Sequence, residues 1–215
     1  MYVKDKMITE LISVSEDTSI NQAIDLMKDK NLHRIPVVKD GKLVGLITKG
    51  LIAKKTASDA TTLEVFELNY LLEKMKVGSI MEKKLITING AALLEDAASL
   101  MLSNDIGCLP VITEDNTLVG IITQNDLLAS FLDILGYSSI GSRLEIEVTD
   151  RLGVIGEISK ILVNYKVNTT HIGVYTQPNN KYQLVYRIDS IASDELINEL
   201  NSNGFKVTSV SKNIN

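Results

Sequence analysis

Tryptophan is absent from the 215 residues, cysteine occurs once, histidine twice and proline three times. The lone Cys108 excludes an internal disulfide and any zinc site built from several thiolates, and it fits a reducing, cytoplasmic setting. With three Phe and seven Tyr as the only aromatics, the cores have to be built from Ile, Leu, Val, Ala and Met. No apolar run approaches the ~18 residues of a membrane span. The charged start Met1-Tyr2-Val3-Lys4-Asp5-Lys6 is not followed by the apolar stretch of a signal peptide, so neither a membrane nor secretion is expected. Basic charge is also in short supply, at 22 Lys and Arg against 27 Asp and Glu, a net charge of −5. From Arg143 onward eight basic side chains balance eight acidic ones, so the whole acidic excess lies before that point. A mildly acidic module is a poor platform for a polyanionic backbone, and nucleic-acid binding is not expected. What remains, 45% hydrophobic and 23% charged, is ordinary globular composition with room for one or two domains.

The strongest pattern present is an internal repeat. A shift of 74 residues aligns Val3 with Val77, Met7 with Met81, Leu11-Ile12 with Leu85-Ile86, Leu26-Met27 with Leu100-Met101 and Pro36-Val37 with Pro110-Val111. One extra residue near Asp115-Asn116 makes the shift 75, aligning Leu43-Val44-Gly45 with Leu118-Val119-Gly120 and Ile47-Thr48 with Ile122-Thr123. Each copy reads as a short strand (Leu11 to Val14; Leu85 to Ile88), then a helix marked by Ile20, Ala23, Ile24 and Met27 or by Leu94, Ala97, Ala98 and Met101. Two strands and a closing helix follow, the first pair joined by the turn signal Lys39-Asp40-Gly41-Lys42. Between the copies, Ala53 to Lys76 reads as a helical insertion, with capping-box spacing at Thr61 to Glu64 and apolar residues at Val65, Leu68, Leu72 and Met75. That helix packs on its own module or meets a partner.

Gly120-Ile121-Ile122-Thr123-Gln124-Asn125-Asp126 resembles the signature of the cystathionine-β-synthase-type (CBS) domain, and His33-Arg34-Ile35-Pro36-Val37-Val38 resembles the start of the family's middle strand. The resemblance covers residues 1–134, with repeats at about 1–55 and 75–134 and the insertion at 53–76. It implies a paired (Bateman) module whose clefts bind AMP, ADP, ATP or S-adenosylmethionine, with NAD or a cyclic dinucleotide as further candidates. The residue types suit such a ligand. An ionised Asp126 accepts both hydroxyls of a ribose, a charge-assisted contact of ~1.5–3 kcal/mol. Thr123 stands where a helix N-terminus faces an anion, and Leu85 to Ile88 (Ile86, Thr87 and Ile88 above all) with Pro110 offer an apolar slot for adenine. The resemblance implies that phosphates are gripped from the opposite repeat, which points to His33 and Arg34. The copies differ: Asp126 corresponds to Leu51, and His33-Arg34 to Gly107-Cys108. One competent and one degenerate cleft are expected. Against this stands the reading of Thr123 and Asp126 as a helix cap only.

After a small-residue stretch, 135–142, the chain reads strand, helix, strand, strand, helix, strand over 143–215, a ferredoxin-like βαββαβ order in a chain of α/β (α+β) class. Asp150-x-x-Gly153-Val154-Ile155-Gly156 followed by Val167-Asn168 resembles the ACT domain. That resemblance implies pairing and an amino-acid or other small effector beside Asp150, Gly153, Val154 and Ile155, and His171 reads as structural. The order CBS pair then ACT is similar to the AcuB-like family associated with acetoin utilisation. The expectation is a non-catalytic, nucleotide-responsive regulator without catalytic residues or metal, a homodimer or higher homo-oligomer with an unknown protein target. The alternatives are an assembly module with vestigial ligand sites, or an enzyme related to acetoin utilisation or IMP dehydrogenase.

Overall fold

In the computed structural model, residues 1–59, 70, 72–177 and 181–213 are described. The chain divides into two compact units, Met1–Leu127 and Leu128–Asn215. Among the described residues no helix is long and apolar enough to cross a membrane.

In the N-terminal unit the first repeat runs α1 (Ile20–Asp29), β1 (Arg34–Lys39), β2 (Lys42–Thr48) and α2 (Lys49–Asp59). The second runs β3 (Ile88–Asn89), α3 (Leu94–Ser103), β4 (Cys108–Ile112), β5 (Leu118–Thr123) and α4 (Gln124–Ile134), and the division between the units falls within α4. α1 begins at a full capping box: Ser19 Oγ accepts from the Gln22 amide at 3.2 Å and Gln22 Oε1 from the Ser19 amide at 3.1 Å. In α3 the cap position is Leu93, which has no acceptor, so only the Asp96 half forms, at 3.1 Å. Both helices bury the same three positions, Ile20, Ala23 and Met27 in one and Leu94, Ala97 and Met101 in the other. The β1–β2 hairpin closes through Asp40 (φ +51°) and Gly41 (φ +76°), the left-handed pair that a two-residue turn of strand-matching twist requires.

The repeats exchange their leading segments. The Val3 amide donates to Ala92 O and the Val77 amide to Thr18 O, each at 2.9 Å. Likewise β5 pairs through Ile121 with Ile8, and β2 through Leu46 with Glu82. The motif glycines have their reason here. A Cβ on Gly45 would lie 2.4 Å from Met81 Sδ, and one on Gly120 would lie 2.4 Å from Met7 Sδ. Of the insertion, residues 60–69 and 71, including Val65 and Leu68, lie outside the described residues, while Leu72 and Met75 pack into the core of the first repeat.

The strands expected at Leu11 to Val14 and Leu85 to Ile88 are shorter than their sequence pattern. Only Val14 bridges to Val37, and only Ile88–Asn89 pairs with β4. Proline is the cause. The Val14 amide donates to Pro36 O at 3.0 Å and the Val38 amide to Val14 O at 2.9 Å. The next bond of that parallel ladder would run from residue 36 to Ile12 O, and proline has no N–H to give. Pro110 stands in the same relation to Ile86.

The C-terminal unit orders β6 (Gly141–Thr149), α5 (Val154–Asn164), β7 (Thr169–Gln177), β8 (Lys181–Ile188), α6 (Asp194–Ser202) and β9 (Lys206–Asn213). The fully antiparallel sheet has the order β7-β8-β6-β9, which is the ferredoxin-like βαββαβ arrangement. β6 starts at Gly141, inside the stretch read as a linker, and 178–180 of the expected β7–β8 turn lie outside the described residues. Leu144, Ile146 and Val148 of β6 face a core shared with Ile158, Leu162, Leu196 and Leu200 of the helices, while Arg143, Glu145 and Glu147 alternate to the other face.

Candidate cleft in the N-terminal unit

A cleft of about 530 Å³ lies within this unit, lined in part by His33, Arg34, Ile86 and Pro110 together with Thr48 and Leu51. Four of the residues predicted from sequence therefore meet, but Thr123 and Asp126 are not among those lining this cleft. The exchange of leading segments explains the difference. β2, which leads to Leu51, pairs with the segment at Glu82, whereas β5, which leads to Asp126, pairs with the segment at Ile8. Leu85-Ile86 thus stands beside Leu51, the copy without a carboxylate. Of the other expected wall residues, Thr87 is half-buried, and Ile88 is buried and held in the ladder to Val111.

The polar rim of the cleft was not anticipated in full. Lys49, Lys84, Glu82 and Asp105 line it beside the predicted cations. Lys49 directly follows the motif threonine of the first repeat, a signal available in the sequence. His33 is exposed, and its carbonyl accepts from the Lys49 amide at 2.9 Å; Gly107 O accepts from the Gln124 amide at 3.2 Å in the second copy. Each strand start is thereby tied to the first residue of its own closing helix. The Arg34 guanidinium crosses between the copies. Its terminal nitrogens lie 3.1 and 3.2 Å from where a Gly107 Cβ would sit, with Gln124 Oε1 at 3.5 Å from the same point. A Cβ at position 107 would crowd the guanidinium by a few tenths of an ångström, so the glycine leaves it room.

Arg34 also contacts Cys108, a neighbour the sequence did not reveal. Burial pushes the Cys108 thiol up, and the guanidinium offsets only part of that, so the sulfur stays a protonated, buried apolar group. Ile86 presents an unpaired edge. With Pro110 unable to donate, the backbones of Leu85 and Ile86 make no hydrogen bond among the described residues. An apolar slot with an open backbone edge, opposite several cations, suits an aromatic base carrying an anionic tail.

Thr123 and Asp126 form a reciprocal cap at the start of α4. Asp126 Oδ2 accepts from the Thr123 amide at 2.8 Å and from Thr123 Oγ1 at 2.7 Å, and the Asp126 amide donates back to Thr123 Oγ1 at 3.3 Å. The first copy keeps the hydroxyl half, with the Leu51 amide donating to Thr48 Oγ1 at 3.1 Å.

In the C-terminal unit, Asp150 and Gly153 are exposed and Gly153 takes φ +89° just before α5. Val154 is buried in the core of this unit, so it offers an effector only its backbone; Ile155 is 40% exposed. The α5 N-terminus already faces Glu157, which is ion-paired with Arg151.

The CBS domain family matches residues 3–57 and 77–133. The CBS domain-containing protein YhcV of Bacillus subtilis is 35% identical over 125 residues, 58% of this chain and 81% of that protein. A homoserine O-acetyltransferase of Methanohalobium evestigatum is 35% identical over 127 residues, but these make up 59% of this chain and only 23% of that enzyme. Among solved structures, CBSX2, from Arabidopsis thaliana, in complex with AMP superposes with a TM-score of 0.53 at 27% identity, covering 62% of this chain and 97% of that one. The CBS domain pair of protein MJ0100 in complex with 5'-methylthioadenosine and S-adenosyl-L-methionine gives 0.52 at 28%, covering 61% and 95%. An AcuB protein from Vibrio cholerae gives 0.53 at 24%, covering 63% and 93%, a likeness of fold alone. With both repeats matched across more than half of its length, the chain belongs to the CBS-domain family as a tandem pair.

Proposed function

We propose that the N-terminal unit binds an adenosine compound (AMP, ADP, ATP or S-adenosylmethionine) and that the chain is a non-catalytic regulator. The observation that carries the reading is the open backbone edge at Leu85-Ile86, left by Pro110, across a cleft from His33 and Arg34. Adenine stacks in the apolar slot and hydrogen-bonds the Ile86 edge, while the tail turns to Arg34, Lys49 and Lys84. The related CBSX2 and MJ0100 structures, with AMP and with 5'-methylthioadenosine and S-adenosyl-L-methionine, support this ligand class. Thr123 and Asp126 supply the ribose-accepting group of the second, pseudo-equivalent cleft, where the wall is the Ile8 segment instead of Leu85 to Ile88. The overlap with the acetyltransferase spans under a quarter of that enzyme and carries no transferase activity over to this chain.

The βαββαβ sheet and the Asp150 to Gly153 turn support an ACT-like role for the C-terminal unit, with a small effector held by the exposed backbone there. A homodimer fits both units. Ligand binding then acts by shifting populations between arrangements of the module. The test is calorimetry and thermal shift on the full chain with AMP, ATP, S-adenosylmethionine and GMP. Adenosine compounds are expected to bind in preference to GMP. Arg34→Gln is expected to weaken phosphorylated ligands about tenfold or more while sparing adenosine. Asp126→Ala is expected to weaken only one class of site. Equal binding of GMP and AMP, or an Arg34→Gln protein that binds ATP like the parent, refutes the proposal.

A further inference from the structure

The C-terminal unit has its own cleft, of about 580 Å³, lined by Tyr137, Ser138, Arg143, Arg187, Ser211, Lys212 and Asn213. It lies away from the Asp150 to Gly153 turn, and its charge pattern is unusual. Arg143 of β6 and Arg187 of β8 are direct cross-strand partners, with Ser211 of β9 opposite Arg143 on its other side. Like charges directly opposite each other destabilise a sheet, so this pairing costs free energy unless something negative sits between them. Glu145 ion-pairs with Arg143. Among the described residues no carboxylate lies within ion-pair distance of Arg187 or Lys212. Arg143, Arg187 and Ser211 share one face of the sheet, whereas Lys212 pairs with Ser142 and projects from the other, so two arginines against one carboxylate leave one positive charge on this face among the described residues.

Arg187 is fixed in place. Its Nε donates to Leu135 O at 2.7 Å, and its guanidinium lies 6.0 Å from the centroid of the Tyr137 ring. Asn213 Nδ2 donates to Ser139 O at 3.0 Å, which holds the same segment from the β9 side. Burial and the charge of Arg143 both push the Arg187 pKa down, as expected of a cation lacking a counter-ion. The fork geometry of two arginines with the Ser211 hydroxyl between strands suits a tetrahedral oxyanion better than a neutral ligand.

We propose that this cleft is a binding site for a phosphate dianion, carried by a small phosphomonoester or free as inorganic phosphate, and that it is independent of the nucleotide cleft. The test uses the full chain, uniformly 15N-labelled, titrated at constant ionic strength with inorganic phosphate, with glucose 6-phosphate and with chloride. Phosphate is expected to shift the amides of Tyr137 to Arg143, Arg187 and Ser211 to Asn213. Tighter binding of the sugar phosphate marks a phosphorylated metabolite as the ligand; equal binding marks free phosphate. Arg187→Gln and, as a variant at an exposed position that leaves the fold alone, Ser211→Ala are each expected to weaken this response about tenfold. Arg34→Gln is expected to leave it unchanged, which separates failure here from failure of the nucleotide reading. The proposal is overturned if chloride gives the same shifts, if Arg187→Gln and Ser211→Ala respond like the parent, or if Arg34→Gln abolishes the response.

Discussion

Replacing Pro110 by alanine isolates the feature on which the nucleotide reading rests. In the first repeat the Val38 amide donates to Val14 O at 2.9 Å, and the ladder stops where Pro36 lacks the next donor. By the repeat, an amide at position 110 points at Ile86 O. Pro110→Ala supplies that donor, so the ladder lengthens by one bond and the acceptor for an adenine amino group is consumed. Stability changes little, because a net hydrogen bond of about 0.5–1.5 kcal/mol offsets the ~0.4–1 kcal/mol lost by freeing the unfolded chain. Affinity falls by the value of one hydrogen bond, about 1 kcal/mol or roughly fivefold. Discrimination against inosine nucleotides, which carry a carbonyl in place of the amino group, shrinks by the same factor. Calorimetry with AMP and IMP on parent and variant, beside urea melts of both, reads all three quantities. A variant that binds AMP as tightly as the parent and rejects IMP as strongly would show that the base does not use this edge.

Gly120→Ala forces a Cβ to within 2.4 Å of Met7 Sδ and is expected to cost about 1–3 kcal/mol in urea melts, partly recovered by the added change Met7→Ala. Tyr186 is fully buried, its hydroxyl makes no hydrogen bond of good geometry among the described residues, and its pKa is pushed up to about 12 by burial, with only a smaller opposing pull from the Ser159 hydroxyl; Tyr186→Phe should stabilise the chain by about 1 kcal/mol, and a tyrosine titrating near 10 in its place would contradict the burial. Glu147 is held below its ordinary 4.5, first by its hydrogen bond from Lys181. Its contribution to stability is therefore present above that value and lost as pH falls through the lowered pKa, so the acid-side loss seen in pH-dependent melts should lessen in Glu147→Gln.

The repeat, the helices and the order of the C-terminal strands were legible because each is written in local periodicity. The buried triplets of α1 and α3 fall 74 residues apart, as their apolar spacing requires. Contacts between the copies were not legible. An alignment of the repeats matches equivalent positions, and apart from the bridge between Lys42 and its counterpart Thr117 the contacts named here join non-equivalent ones: Leu85-Ile86 meets Leu51, and the Ile8 segment meets β5, because the leading segments are exchanged. The strand lengths failed for a smaller reason. Leu11 to Val14 has the composition of a strand, but a parallel ladder also needs a donor from the neighbour, and Pro36 withholds it. At the Asp150 to Gly153 turn, the sequence places Val154 beside the effector, but it sits at the first helical position, where its side chain returns to the core.

The exchanged architecture supplies an internal control on Asp126. Both closing helices use a threonine hydroxyl as cap, Thr48 for the Leu51 amide at 3.1 Å and Thr123 for the Asp126 amide at 3.3 Å. α2 therefore begins without any carboxylate at the third position after its cap, so the carboxylate of Asp126 is not a requirement for starting such a helix. What it adds at α4 is a negative charge held at a fixed place by the Thr123 amide and hydroxyl. The pattern of basic residues runs the opposite way: His33 and Arg34 stand in the first repeat, where the second has Gly107 and Cys108, and Gly107 leaves room for the Arg34 guanidinium. Here an arginine in one copy is matched by the missing side chain in the other, and the acceptor lies at the start of the opposite closing helix. That complementarity across the pseudo-twofold favours two clefts of unequal chemistry, one ordered around cations and an open backbone edge, the other around a fixed carboxylate.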